Sequence, residues 1–416
     1  MSMSIVTLDQ ESRRQRGFYV PQFELRIEGA GLPRDVLRDV TQVTYKDSIK
    51  EIDNFEMTVN NWDPTTRTFK YVGSETAESL KQDTAQTRLH RLFEPCGKTA
   101  DLRMGYAGDL RVMLTGNFVT MEPSFTSGGP PTLAVRGLNV LHKLRTKQFT
   151  TAWVDTKPSD IAENIATLTD DSDPKSKTKR FPLPIETDPN AKGREAPIPY
   201  MAQSNLYDID FLLTLARQQG YVLYVVEGDP SAQGIKSQRR LYFGPSQGGQ
   251  GAGLRLVTFQ LEWGKSLLEF KPTLTVANQI KSVTVNGWDR KAKKPIKETV
   301  SIDDPKLKLN KDLHDLITEK CDAREEVVVD EPVFTSDQAK QRAIAILSDR
   351  QKVMVKASGT SIGLPDLRAG QRVVIGGLGA RISGTYFITD TTHTFGDSGY
   401  TTQFNARRED DGKGTS

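Results

Sequence analysis

Gly97-Lys98-Thr99 and Gly264-Lys265-Ser266 are two runs that could grip a phosphate. A phosphate loop needs a further glycine five positions before its Gly-Lys pair, so that backbone amides can wrap the anion. Those positions hold Leu92 and Phe259, and neither run qualifies. Gly249, Gly251 and Gly253 fit no dinucleotide fingerprint and read as a flexible turn before a strand. The histidines, His90, His142, His314 and His393, are scattered without HExxH or a close His-x-His pair, so a zinc or non-haem iron site is not expected. Asp171 and Asp173 could open a calcium loop, but its sixth position is Ser176 rather than glycine and its twelfth is Pro182 rather than a bidentate Glu. Cys96 and Cys321 form neither a CxxC pair nor a disulfide framework. No Gly-x-Ser-x-Gly elbow occurs. Paired carboxylates could still meet in space among the 53 acidic residues, which spacing alone does not resolve. The expectation is no catalytic, cofactor-binding or metal-ligating residue, and no cofactor.

The rest of the composition narrows the class. With Lys+Arg 56 against Asp+Glu 53, the formal charge of +3 is too balanced for a protein that neutralises many phosphates, so no specific nucleic-acid recognition is expected. No apolar run approaches the roughly 20 residues of a membrane span. The first residues, MSMSIVTLDQESRRQRG, lack a signal-peptide apolar region. A chain of 416 residues has room for several cores. A soluble multidomain protein made in the cytoplasm is the expectation.

The elements that would position any site are mostly strands. Residues 1–16 read as a flexible polar tail. Phe23, Leu25 and Ile27 alternate with Glu24, Arg26 and Glu28, and Phe55, Met57 and Val59 alternate with polar residues in the same way, each giving a strand with one buried face. VTQVTYKDS adds another strand, and ADLRMGY, VMLTGNFVTM and PTLAVRG complete a first β domain over 17–150. Residues 151–265 read as a small α+β domain. Pro158 starts one helix, and a second runs from about Leu206 to Gln219, with Asn205 as its cap and Gly220 as its stop. A proline- and lysine-rich loop over 170–200 interrupts this domain and reads as an interface arm. Residues 266–408 return to strands around one helix, for which Thr335 and Gln338 form a capping box. Residues 409–416 read as a disordered tail. Trp62, Trp153, Trp263 and Trp288 lie near element edges, where packing is the default role, and Trp288 in its VNGWD turn is the one to suspect of an interface.

One internal echo stands out. GKTADLRMGY, LTGNFVTMEPSF and TLAVRGL are matched in order and near-equal spacing by GQRVVIGGLG, ISGTYFITDTTHTF and YTTQFNAR. Both sets place a glycine, a strand, a second glycine, a long strand ending in Phe, and a final strand. A duplicated barrel is the expectation.

Several runs, taken together, resemble the phage late control gene D protein family, the baseplate hub of contractile tails, similar to the hub half of type VI secretion VgrG spike proteins. They are PQFELRIEG, SIKEIDNFEMTVNNWD and LTGNFVTMEPSF, then KPSDIAENIA and SNLYDIDFLLTLARQQGYVLYV, then LEWGKSLLEFKP, QIKSVTVNGWD and GLPDLRAGQRVVIGGLGARISGTYFITDTTHTF. The resemblance covers about residues 18 to 408. It implies an α+β, mainly β fold, with two tail-tube-like antiparallel β-barrel domains flanking the small α+β domain. It implies a structural virion component, not an enzyme: a homotrimer whose six barrels form a pseudo-sixfold ring on a hexameric inner tail tube. Its implied partners are the inner tail-tube protein, a spike protein, a baseplate wedge or LysM-type baseplate protein, and a tape measure protein. Because little sequence follows Arg408, the spike is expected to be a separate chain. The implied location is the bacterial cytoplasm during assembly and then the phage tail or injection particle. A competing expectation is a peptidoglycan-degrading tail-tip enzyme, for which no separable hydrolase-like segment is visible; a translocated effector or adhesin is a third.

Overall fold

The computed structural model describes residues 5–14, 18–95, 97–170, 179–181, 183–228, 238–246, 258–305, 307, 314–315, 317–318, 324–330, 333–379 and 382–409. The first part of the chain contains β1 (Ile5–Thr7), α1 (Leu8–Arg14), β2 (Pro21–Ile27), β3 (Ala30–Gly31), α2 (Arg34–Asp39), β4 (Val40–Ser48), β5 (Asn54–Asn60), β6 (Trp62–Asp63), β7 (Thr68–Phe69), α3 (Ala85–His90), β8 (Thr99–Tyr106), β9 (Asp109–Ser124) and β10 (Thr132–Asn139). The period-2 patterns do what the sequence required. In β5, Phe55, Met57 and Val59 are buried and their neighbours half-exposed, which sets the register because a one-residue slip would turn the whole apolar row to water. These rows meet in one core with Leu25, Val43, Tyr45, Leu102, Phe118 and Val135.

The middle part comprises β11 (Gln148–Thr156), α4 (Pro158–Ile165), β12 (Ile185–Thr187), α5 (Pro189–Arg194), β13 (Ile198–Tyr207), α6 (Asp208–Gln219), β14 (Val222–Val226) and β15 (Arg240–Gly244). Ile161, Ile165, Leu212, Leu215 and Phe243 belong to its separate core. Pro158 opens α4 and left-handed Gly220 (φ 68°) ends α6, as the sequence indicated. Asn205 does not cap α6. It sits inside β13 at φ 49°, where pairing with β11 keeps the chain extended as far as Tyr207, and the helix starts at Asp208 with Asp208 and Asp210 favouring its positive N-terminal end. Within 170–200, residues 171–178 and 182 lie outside the described residues. The remainder carries structure: β12 pairs parallel with β15, and Asp188 caps α5 by accepting from the Ala191 amide at 2.9 Å.

The last part holds β16 (Thr258–Glu262), β17 (Leu267–Leu274), β18 (Ser282–Asp289), β19 (Lys294–Ser301), β20 (Glu325–Val328), α7 (Ser336–Lys352), β21 (Val355–Ile362), β22 (Arg372–Gly376), β23 (Gly384–Gly396) and β24 (Gly399–Arg408). Thr335 caps α7, accepting from the Gln338 amide at 3.2 Å, while the Gln338 side chain reaches back to the Phe334 amide at 3.1 Å. The buried face of α7, with Ala339, Ala343 and Leu347, packs beneath the β19-β18-β20 sheet.

The chain is mainly β, and its largest sheet explains the sequence echo. In the first half the strands pair in the order β4-β5-β10-β9-β8-β2; in the second they pair as β17-β21-β24-β23-β22-β16. Ranked by chain position, these are the same order. The one reversal is at the far edge, where β2 runs antiparallel to β8 but β16 runs parallel to β22. A cross-strand Phe–Gly pair recurs between corresponding strands: Phe55 of β5 faces Gly137 of β10, and Phe404 of β24 faces Gly359 of β21.

Two expectations change. Neither strand run closes on itself into a barrel; instead β4 leaves its own half to pair with β23 of the other, fusing both into one sheet. The reading of residues 1–16 as a mobile tail does not fit residues 5–14, because β1 adds a parallel edge strand to β16 through Ile5–Thr258, Val6–Phe259 and Thr7–Gln260. An apolar-polar strand of three residues is too short to register as periodicity. The tail at 409–416 lies outside the described residues apart from Glu409, which is buried and accepts from Ser246.

Candidate functional site

The feature that demands a physical account is the seam where β4 meets β23. Residues Val43 to Ser48 pair antiparallel with Asp390 to Phe395. Strand alternation turns Val43, Tyr45 and Asp47 toward the interior, opposite Phe395, His393 and Thr391. Asp47 thus places a carboxylate on an apolar face, where an unpaired charge would cost several kcal/mol. Arg368, 321 residues away, supplies the partner: its Nε lies 2.6 Å from Asp47 Oδ2, with side-chain exposures of 17% and 5%.

The surroundings complete the hydrogen bonding of both charges. Arg368 also donates to the Tyr45 hydroxyl, to the Met113 carbonyl at 2.9 Å and to the Val112 carbonyl at 3.5 Å. Its guanidinium stacks 4.6 Å from the Tyr45 ring centroid. Asp47 accepts from the Ala369 amide at 3.2 Å and from the Thr391 hydroxyl. One arginine of the second half therefore binds strands β4 and β9 of the first, while Asp47 binds the second half in return.

Two further titratable groups lie beside this pair. His393 is fully buried; its Nε2 is 3.1 Å from the Leu367 carbonyl, so Nε2 carries the proton. Its Nδ1 then accepts from the Tyr400 hydroxyl at 2.9 Å and lies 3.1 Å from Thr402 Oγ1. Burial pulls its pKa down to about 3 against the opposing pull of Asp47. Asp53 accepts from the Ser48 amide and from the Asn139 side chain, each at 3.2 Å. Burial, then the charge of Asp47, pushes its pKa up to about 8 against the attraction of Arg368. At neutral pH His393 and Asp53 are both mostly uncharged, and the seam contains one compensated ion pair. Aromatic contacts extend it: Phe23 meets Phe395, and Tyr106 meets Tyr400, at 5.0 and 5.8 Å.

This arrangement can hold the two halves of the sheet together, and the cavity of about 30 Å³ beside its Ser48 and Asp53 has room for a water or two rather than a substrate. The other chemical candidates stay apart. His90 contacts the Tyr71 carbonyl, His142 the Asn139 carbonyl and His314 the Asp303 carboxylate, each at 2.9 Å. Cys96, Cys321, Asp171 and Asp173 lie outside the described residues. Gly97 precedes β8, and Gly264 is a turn residue at φ 81°. No group of three or more His, Cys, Asp or Glu that could hold a metal occurs among the described residues. A groove of about 430 Å³ between β13 and the start of α7 is lined by Arg290, Arg342, glutamines and apolar residues, without carboxylate, histidine or cysteine. Trp62 packs on Phe69 at 5.4 Å and Trp153 is buried, whereas Trp263 and Trp288 are 61% and 52% exposed. No helix among the described residues is long and apolar enough to cross a membrane.

Comparison with known proteins places the fold. A 43 kDa tail protein of prophage MuSo2 from Shewanella oneidensis is 15% identical, with a TM-score of 0.61 over 93% of this chain and 98% of that one. A tail protein of Neisseria meningitidis MC58 is 12% identical, with a TM-score of 0.61 over 94% and 97%. An Escherichia coli component of the type VI secretion system, itself structurally similar to the bacteriophage T4 tail proteins gp27 and gp5, is 12% identical, with a TM-score of 0.53 over 94% and 78%. At these identities the fold is what is shared. The sequence model of a family described as the Alg8 N-terminal domain matches residues 253–397, too small a share of the chain to assign it to that family. No curated protein matches the chain.

Proposed function

We propose that this chain is a structural baseplate hub protein of a contractile phage tail or phage-tail-like injection system. Three copies form a pseudo-sixfold ring that joins the hexameric inner tube to a separate central spike and to surrounding baseplate proteins. The observation that carries this reading is the repeated strand order, β4-β5-β10-β9-β8-β2 and β17-β21-β24-β23-β22-β16, in one chain. A protein with two copies of one sheet unit presents six such units as a trimer, and so can meet a sixfold tube with a threefold spike. The fold shared with a prophage tail protein, a second tail protein and a type VI secretion component supports the same reading. So does the character of the seam, whose buried polar groups are used to join halves rather than to face a substrate. The function is mechanical, and the near-neutral charge fits surfaces covered by protein.

Light scattering on the purified chain, followed by electron microscopy, tests the proposal. The expected result is a mass of three chains and a ring with six lobes, retained on an immobilised tube protein of the same particle. A folded monomer at every concentration, without affinity for tube or spike, would refute it. Cell-wall clearing activity in the purified chain would instead favour the peptidoglycan-degrading alternative.

A further inference from the structure

The strand-for-strand correspondence of the two halves leaves two edges unmatched. β4 corresponds to β17, and β23 corresponds to β9. Inside the chain β4 pairs with the second part of β23, on the edge that β22 leaves free beyond Phe387. The equivalent edge of β9 begins beyond Asn117, where β8 stops; residues 118–124 pair with β10 on one side, and no described strand covers the other. The equivalent of β4 is β17, which pairs with β21 and has no described partner on its second edge. One chain therefore contains one completed seam and both halves of a second seam.

The two open halves cannot meet within a chain, since each half of the molecule is already committed through β4 and β23. We infer that β17 of one copy pairs antiparallel with residues 118–124 of β9 in a second copy, repeating the β4–β23 seam between chains. This rests on the trimeric-ring reading and names the surface that would close the ring. The occupant is a second copy because the internal seam shows that this strand type and this edge fit each other.

The side chains agree. Phe270, Pro272 and Leu274 lie on one face of β17, with Phe270 against the core, Pro272 half-buried and Leu274 53% exposed. On the β9 edge the core-facing row is Met121 and Pro123, both half-buried, continued by Phe125 at 56% exposure. Joining the edges would cover both apolar rows, as Val43 and Phe395 are joined in the internal seam. The outward rows, Thr120 and Glu122 on one edge and Glu269, Lys271 and Thr273 on the other, are polar, and each compensates its charge locally, Glu122 with Arg136 at 3.7 Å and Lys271 with Glu269 at 2.5 Å, so neither edge repels the other. Pro272 and Pro123 each remove a backbone donor, which keeps the ladder short and discourages open-ended pairing with unrelated strands.

Cysteine cross-linking of the full-length chain tests this. Cys96 and Cys321 are first replaced by serine. Thr120→Cys or Glu122→Cys is then combined with Lys271→Cys or Thr273→Cys, all at exposed positions. Cross-strand cysteines in a ladder come within disulfide reach. Oxidation should link at least one combination into covalent dimers and trimers, while Val154→Cys combined with Thr120→Cys should not link. Separately, Leu274→Lys, at a 53% exposed position, and Phe125→Lys, 56% exposed with its ring on Phe69 at 5.0 Å, should each weaken association by roughly tenfold or more, with an unchanged urea midpoint showing that the fold is intact. A trimer that forms no links through these positions and tolerates both lysines overturns the seam but leaves the ring standing. A folded monomer overturns both.

Discussion

Replacing Arg368 by methionine isolates the internal seam. Methionine keeps most of the side chain's volume but removes the charge and its donors. Asp47, 5% exposed, keeps the Ala369 amide and the Thr391 hydroxyl but loses the one cation that pairs with it among the described residues. Breaking a buried pair by removing one partner costs about 3–5 kcal/mol. The loss should be local, so hydrogen exchange followed by mass spectrometry is the suitable assay. Protection of the peptides carrying residues 43–48 and 390–395 should fall by roughly a hundred- to a few thousand-fold, while the middle-domain core around Ile161 and Leu212 is unaffected. R368M/D47N removes both charges and should recover much of the protection, giving a coupling energy of at least about 2 kcal/mol. Two results would refute the reasoning: loss of protection below about tenfold in the single variant, or a double variant no better than the sum of the singles.

Asp53 should make stability fall with rising pH. Its folded pKa, about 8, is above the ordinary 3.8, so its contribution is full below pH 3.8 and is lost as pH rises through about 8. D53N, which keeps the shape, should lose less than wild type between pH 5 and 8 in urea midpoint; parallel curves would count against a buried neutral carboxyl. Arg180 fixes the β11–β13 ribbon to α6 through a 2.6 Å pair with Asp208, at 6% and 2% side-chain exposure, and a 2.9 Å bond to Gln203. R180M should deprotect the ribbon in hydrogen exchange by roughly a hundredfold or more without changing the mass of the assembly. A Cβ at Gly137 would sit 2.1 Å from the Phe55 ring and one at Gly359 2.5 Å from the Phe404 ring. Gly137→Ala and Gly359→Ala should therefore each destabilise by about 1–3 kcal/mol in chemical unfolding, and a neutral effect at either would contradict the packing.

Much of the sheet could be read from the chain because its cause is local. Phe23, Leu25 and Ile27 alternate, and so do Phe55, Met57 and Val59, and water on one face enforces that spacing. The repeat was legible for the same reason. The seam was not, because its partners are held together by topology: Asp47 and Arg368 are 321 residues apart. A signal was present, since Val43, Tyr45 and Asp47 share the buried phase of one strand, and a carboxylate in that phase requires a cation from elsewhere. Nothing in the sequence identified which of the 56 basic residues would supply it. Asn205 has the side chain of a helix cap, but the β11 ladder, which runs as far as Tyr207, determines where the helix can start, and that long-range pairing leaves no local mark in the sequence.

The two seams differ in a way that accounts for the placement of charge. The internal one forms between segments tethered in one chain, where encounter is cheap and the danger is the wrong register or the wrong sheet. A buried ion pair with hydrogen bonds on every side suits that task, because a slip by one residue would strand Asp47 without Arg368. The open edges of β17 and β9 have no such tether, and their association must overcome the loss of translational freedom. The face of β17 corresponding to Tyr45 and Asp47 carries Phe270, Pro272 and Leu274 instead, so covering it removes apolar surface from water without first desolvating a carboxylate. A chain built this way would fold with one seam closed and polar, and present the other open and apolar. That division of labour follows from the residues on corresponding faces of a duplicated sheet, and it predicts that salt will affect assembly less than loss of Leu274 or Phe125.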